Sequence, residues 1–313
     1  MRYINPGYAA FLDVDGGTTI ENAAYNPLNG VALTQPTDND GVNFGSTVNE
    51  LYGKFDIYLP PLSDLPADYF AKVGIFKPGN SNAGFNGVAI SKYSSSYINL
   101  KAFVCGSSDK TVTNRDAQFN FGSIHHFFFY FKARSESKAD GEYFIYMNGI
   151  KVMEGKDKWI YMDNASKLVL YAASSAAPIS NVILSDSPID MRERITPVPL
   201  GTPVTDMVDR GDGTYLADAA GQQILQTVDV ASLITNYGDT SLVTGIAIAG
   251  NPAYRTGEGL TSLIGISKAS GMQTEHGAKT LRTSIMAGAA DCYTVNMTLS
   301  EMVGMQLGWK VGV

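Results

Sequence analysis

The sequence predicts a mainly β chain in two parts: an N-terminal jelly-roll-like antiparallel β-sandwich, then a smaller C-terminal β-rich domain of α+β type. Three observations predict it. Only 17% of the 313 residues are charged, while 32 glycines, 13 prolines, 17 tyrosines and 14 phenylalanines supply turn and strand formers. From Leu51 to Asp186, short alternating segments are set off by Gly, Pro, Ser and Asn, with no long helical period. Then Pro188, Pro197, Pro199 and Pro203 crowd a stretch of 16 residues, too densely for a helix or a central strand. This places a first domain at 1–190, a linker at 191–206 and a second domain at 207–313.

The elements follow in order. The opening MRYINPGYAAFLDVDGG has no apolar core and meets Pro6 and Gly7 early, so no signal peptide is expected. GKFDIYLP puts Phe55, Ile57 and Leu59 on one strand face and Asp56 and Tyr58 on the other. YINLKAFV does the same with Ile98, Leu100 and Ala102 against Tyr97, Asn99, Lys101 and Phe103. SIHHFFFYFKA, residues 123–133, is too short to cross a bilayer and ends on Lys132 and Arg134, so it is expected as a buried strand. His125 and His126 then point to opposite sides of it, with no acidic, Ser or Cys partner close in sequence.

In DGEYFIYMNGIKVMEG, Asn148-Gly149 between apolar segments predicts a two-residue hairpin turn. Its register pairs Met147 with Ile150, Tyr146 with Lys151, Ile145 with Val152, Phe144 with Met153 and Tyr143 with Glu154. KLVLYAA and ISNVILSD complete the first domain. In the second, DGTYLAD, QQILQTVDV, SLVTGIAIAG and DCYTVNM read as strands. TLSEMVGMQ carries a capping box, Thr298 with Glu301, which predicts a short helix before a last strand LGWKV.

The GSIHHFFFYFKA strand, the GEYFIYMNGIKV hairpin and the closing ISNVILSD resemble the concanavalin A-like lectin/glucanase sandwich, including its laminin-G-like members, over residues 8–187. The second half resembles C-terminal regions of phage and prophage structural proteins through GNPAYR and LSEMVGMQLGWKV. The first resemblance implies glycan or protein contact. The catalytic string of the glucanases, Glu-x-Asp-x-x-Glu, is absent from this sequence, as is the metal-binding run of the legume lectins.

Other motifs point to no chemistry. DVDGG and DNDG lack the continuation of an EF-hand and read as turns, with calcium left open at both. RGD at 210–212 reads as a hairpin turn. GLTSLIG is no Walker loop, and no metal or other cofactor is expected. Cys105 and Cys292 read as free thiols. The net charge of −7 is spread over both halves without a basic footprint, which argues against nucleic acid, and no segment predicts a membrane span.

What stands out is an aromatic face. With Ile57, Leu100 and Ile145 inward, Tyr58, Tyr97, Phe103, Phe144 and Tyr146 point outward, and that much aromatic surface calls for a cover. A loop, the second domain, another subunit or a sugar could supply it. Candidate contact residues are therefore Tyr58, Tyr97, Phe144, Tyr146 and Lys151, with no catalytic residue named. The expectation is a non-enzymatic structural or adhesion protein of phage or prophage type, homo-oligomeric, in a virion or in a bacterial cytoplasm before assembly, contacting glycan or other structural proteins. The alternatives are a bacterial carbohydrate-binding protein, or a glycoside hydrolase or lyase whose site the sequence does not reveal.

Overall fold

The alternating segment around GKFDIYLP and the aromatic run after His125 pair with each other in a computed structural model of the chain. The structure describes residues 2–7, 18–21, 25–27, 30–34, 48–66, 68–76, 85–92, 98–103, 111–114, 119–135, 140–157, 167–172, 177–249, 259–281 and 290–313. These divide into two units, Met1–Ile195 and Thr196–Val313. No helix among the described residues is long and apolar enough to cross a membrane.

Unit 1 contains β1 (Arg2–Asn5), β2 (Thr18–Glu21), β3 (Val31–Thr34), β4 (Glu50–Leu59), β5 (Asp68–Phe76), β6 (Asn86–Lys92), β7 (Ile98–Phe103), β8 (Thr111–Asn114), β9 (Ser123–Lys132), β10 (Gly141–Met147), β11 (Ile150–Asp157), β12 (Lys167–Ala172) and β13 (Ile179–Ser185). One antiparallel sheet runs β11, β10, β9, β4, β13, β3, β2, with β1 also on β13, and a second runs β12, β5, β6, β7, β8. The chain is mainly β, as expected, and the two sheets form a sandwich.

The inner side of the larger sheet comes from alternate residues: Leu51, Phe55, Ile57 and Leu59 on β4, Phe127, Phe129 and Phe131 on β9, and Tyr143, Ile145 and Met147 on β10, all buried. Val73, Ile75, Val88, Ile90, Leu100 and Ala102 bury the second sheet. Phe55 and Phe127 stack at 4.8 Å and 7°. Gly53 is the one inward position of β4 without a side chain, and a Cβ there would lie 2.0 Å from the Phe129 ring, so the aromatic fills the place that glycine leaves.

The hairpin turn forms with Asn148 at φ 52° and Gly149 at φ 79°, the pair of left-handed residues that such a turn requires. The expected register holds only beside the turn, at Met147 with Ile150 and Tyr146 with Lys151. A bulge then takes up one residue of β11, so Ile145 meets Met153, Phe144 meets Glu154 and Tyr143 meets Gly155.

Unit 2 contains β14 (Val204–Thr205), β15 (Val208–Asp209), β16 (Tyr215–Leu216), β17 (Gln223–Thr227), α1 (Ala231–Tyr237), β18 (Leu242–Ala249), β19 (Ser262–Ala269), β20 (Met272–Thr280), β21 (Ala290–Thr298) and β22 (Gln306–Gly312). Its five-stranded sheet runs β14, β17, β22, β19, β20, with β15 on β16 and β18 on β21 as separate pairs. Ile246, Leu263, Leu299, Met302, Met305, Leu307, Trp309 and Val311 build its core.

The capping box at Thr298 is real: the Thr298 amide donates to Glu301 Oε2 at 2.7 Å. The expected helix is not formed. Residues 299–304 make successive tight turns closed by bonds from Met302 N to Leu299 O and from Met305 N to Met302 O. The helix that does form, α1, was not anticipated, because seven residues show too little of a 3.6-residue period. The RGD string lies where a hairpin turn was expected, between β15 and β16, with Asp209 Oδ1 accepting from the Gly211 amide. GNPAYR, DVDGG, DNDG and Cys105 lie outside the described residues. Cys292 is half-buried.

Candidate functional site

Strand alternation sends the other half of β4, β9 and β10 to the side of the large sheet that faces away from the sandwich core. Register lays it out in rows. Asp56 of β4 stands across from His126 of β9, and Ser180 of β13 stands on the far side of Asp56. The next row is Ile183, Lys54, Phe128, Tyr146 and Lys151, and the next is Ser185, Tyr52, Tyr130, Phe144 and Glu154.

The aromatic part of this face is covered by the chain itself. Past β13, Ile189 and Ile195 pack on Phe128, Ile183, Tyr52, Phe144 and Tyr146. Arg2 of β1, 5% exposed, holds the covering segment through two bonds to Glu193, at 3.0 and 2.8 Å. The Lys54 ammonium donates to the Met191 carbonyl at 2.8 Å and to the Glu193 carbonyl, and burial pulls its pKa down. Burial and then the neighbouring Glu50 push the Tyr52 hydroxyl up to about 12. Residues 191–195, expected in a linker, thus belong to unit 1.

Beyond the cover the face is polar. The His126 ring, with a side chain 60% exposed, donates from Nδ1 to Asp56 Oδ1 at 2.7 Å, and Asp56 is 9% exposed. The Asp56 contact, working against partial burial and Lys54, raises the His126 pKa above its ordinary value. Since Nδ1 carries the proton toward Asp56, Nε2 is the ring nitrogen left to exchange one. The other Asp56 oxygen accepts from Asn181 Nδ2 at 2.8 Å. Beside this pair, Tyr58 stands two residues from Asp56 on the same face, half-buried, with the Tyr25 ring edge-on at 4.8 Å.

His125 has the opposite environment. It is fully buried on the inner side, with the Phe119 ring edge-on at 5.5 Å. Its Nε2–H donates to the Asn120 carbonyl at 2.8 Å, its Nδ1 accepts from Asn148 Nδ2 at 3.1 Å, and burial lowers its pKa. The turn residue Asn148 also accepts the His126 amide through Oδ1 at 2.9 Å, so the hairpin turn fixes the backbone at His126 and the ring of His125.

Of the expected contact residues, Tyr58 lies beside the histidine, Phe144 and Tyr146 lie partly under the covering segment, and Lys151 is exposed and paired with Glu154 at 2.5 Å. Tyr97 lies outside the described residues, and so does the side chain of Phe103. No acidic partner of His126 lies close in sequence, and the sheet supplies a distant one. Asp56 is 70 positions away in sequence and adjacent in the sheet. Among the described residues no group of three or more His, Cys, Asp or Glu side chains could hold a metal.

No protein-family model matches the chain, and no characterised protein matches it by sequence. Several solved structures are similar to it. An endo-β-1,4-glucuronan lyase from the fungus Trichoderma reesei matches at 18% identity and a TM-score of 0.40, over 58% of this chain and 94% of that one. An alginate lyase from Chlorella virus matches at 12% and 0.33, over 58% and 90%. Domain 4 of an extracellular arabinanase from Geobacillus stearothermophilus, bound to arabinotriose, matches at 15% and 0.31, over 54% and 81%. With lyases among these matches, the expectation of a non-enzymatic chain is corrected. The absent Glu-x-Asp-x-x-Glu string speaks only against one carboxylate-pair arrangement for hydrolysis.

Proposed function

We propose that unit 1 binds a polysaccharide on the open part of its outer sheet face and that His126 transfers a proton in cleaving it. The observation that carries this reading is the Asp56–His126 pair: a buried carboxylate orients a largely exposed imidazole through Nδ1, which leaves Nε2 as the nitrogen that does not face Asp56. Tyr58 and Tyr25 give a sugar ring an aromatic wall beside that nitrogen. Tyr146 and Lys151, one row further, extend the contact toward the hairpin.

The groups favour elimination over hydrolysis. Hydrolysis by two carboxylates needs both free to act on one glycosidic bond. Asp56 is committed to His126 and Asn181. A single base suits removal of the acidic proton next to a sugar carboxylate: the proton passes to His126 Nε2, the bond to the glycosidic oxygen breaks as a double bond forms in the ring, and the leaving oxygen takes a proton from the imidazolium or from water. The substrate class is then a uronate-containing polymer.

The test uses the full chain with alginate, glucuronan and pectate, and with arabinan and a β-glucan as neutral controls. New ultraviolet absorbance from unsaturated ends, together with new reducing ends, is expected on a uronate polymer and absent in His126→Ala. Reducing ends without the absorbance would replace elimination by hydrolysis. No product and no retention on any of the polymers would reject the reading.

A further inference from the structure

Strand alternation does not by itself bring an amide to Asp56. On β13, Ser180 stands across from Asp56 and Ile183 across from Lys54, so Asn181 and Val182 together oppose the single residue Phe55. Without that extra residue, position 181 would share the inward orientation of Phe55. The bulge and a left-handed backbone at Asn181, φ 51°, turn its side chain to the outer face instead. Asparagine is among the few residues that adopt this conformation readily.

The side chain so placed is buried and bonded through both its nitrogen and its oxygen, which accepts from Asn26 Nδ2 at 3.4 Å. Asn181 Nδ2 donates to Asp56 Oδ2 at 2.8 Å and to Asn26 Oδ1 at 3.3 Å. Asn26 Nδ2 in turn donates to the carbonyls of Pro6 and Val31, both at 2.8 Å, which fixes the segment carrying Tyr25. One amide thus joins the carboxylate behind His126 to the turn that holds the Tyr25 ring against Tyr58.

We infer that Asn181 is the positioning residue of the site: its amide holds Asp56 in the rotamer that orients His126 and ties the Tyr25 wall to the same frame. This rests on the proposed proton transfer at His126, and it deepens that reading by assigning the residue that sets the geometry. Asn181 touches neither His126 nor a sugar in this arrangement, so its effect passes through Asp56. The charged groups near the imidazole are Asp56 and Lys54, both on β4, and the adjacent ring of His125 is buried and neutral.

The deciding variant is Asn181→Gly, which removes the amide while leaving a residue at ease with a positive φ. The readout is the titration midpoint of the His126 ring protons by NMR, with Asp56→Asn setting the value for a lost carboxylate. The midpoint in Asn181→Gly should fall by at least half of the drop that Asp56→Asn produces. A folded Asn181→Gly protein whose midpoint equals that of the unmodified protein, or exceeds it, overturns the inference. The unmodified protein supplies a second measurement, immune to misfolding: the Asn181 side-chain amide signals should shift with the His126 midpoint, and signals that ignore it overturn the inference as well. Because neither readout needs a substrate, a protein that cleaves nothing would end the proposed function while leaving this assignment to be decided by the titrations.

Discussion

His125 and His126 are neighbours in the chain, yet the two sides of one strand give them different chemistry. On the inner side His125 meets Phe119, one carbonyl and one amide, and burial keeps it neutral. On the outer side His126 meets a carboxylate and water, and its proton is held more tightly than usual. The same division runs along β9. Phe127, Phe129 and Phe131 fill the sandwich, whereas Phe128 lies under a short covering segment and Tyr130 stacks on Phe144. Residue type therefore says little here about role. The layer that a side chain enters decides it.

The sharpest way to break this comparison is to empty each side in turn. Phe129→Ala should cost about 3–5 kcal/mol in denaturant unfolding, since the ring is fully buried over Gly53 and its removal leaves a cavity. Phe128→Ala should cost less, about 1.5–3 kcal/mol, because the covering segment can settle onto the gap. Equal costs would mean that the two sides are equally rigid.

A smaller effect separates the histidines. His125→Ala should cost about 1–3 kcal/mol, because it strands the Asn120 carbonyl and the Asn148 amide. His126→Ala should cost below about 1 kcal/mol, as expected for an exposed partner, while removing any cleavage. A large stability loss in the second variant would make His126 a structural residue.

The pH dependence has opposite signs for the two. A raised folded pKa means that His126 adds stability below its ordinary value of about 6.5, and this is lost as pH rises through the folded value. A lowered folded pKa means that His125 withdraws stability as pH falls below about 6.5. Thermal melts between pH 5 and pH 8 should show the gap between the unmodified protein and His126→Ala widening toward low pH. If His126 acts as a base, activity should rise with pH through its raised pKa, and Asp56→Asn should move that rise to lower pH as well as weaken it. A rise that stays in place would detach Asp56 from the titration.

The smallest expected change is at Tyr146. It is half-buried, edge-on to the rings of Phe128 and Phe144, so Tyr146→Ser should lower stability by about 1 kcal/mol. Affinity for a polymer that reaches the hairpin should fall several-fold, measured by retention on the immobilised polysaccharide. Unchanged retention would confine binding to the Tyr58 side.

Much of this was legible beforehand, and particular residues show why. Asn148-Gly149 announced its turn because a type I′ turn demands two positive φ values and few residue pairs supply them. The inward faces of β4 and β10 followed from alternation alone. The bulge on β11 did not, since an extra residue is set by how β10 is held by β9 on its other side. The proline-rich stretch read as a linker, and only packing revealed Ile189 and Ile195 as the cover for the aromatic face.

By itself the sequence determined the fold class, the strand faces and the hairpin turn, because these depend on period-two alternation and on local φ preferences, both written in adjacent residues. Tertiary structure alone decided the site. Asp56, His126 and Asn181 come from three separate stretches, and only strand order in the sheet and a bulge at Asn181 bring them within hydrogen-bond distance. Local preference carries no record of which strands will lie side by side, so an ordinary strand histidine and a proton-transfer group look alike until the sheet is assembled.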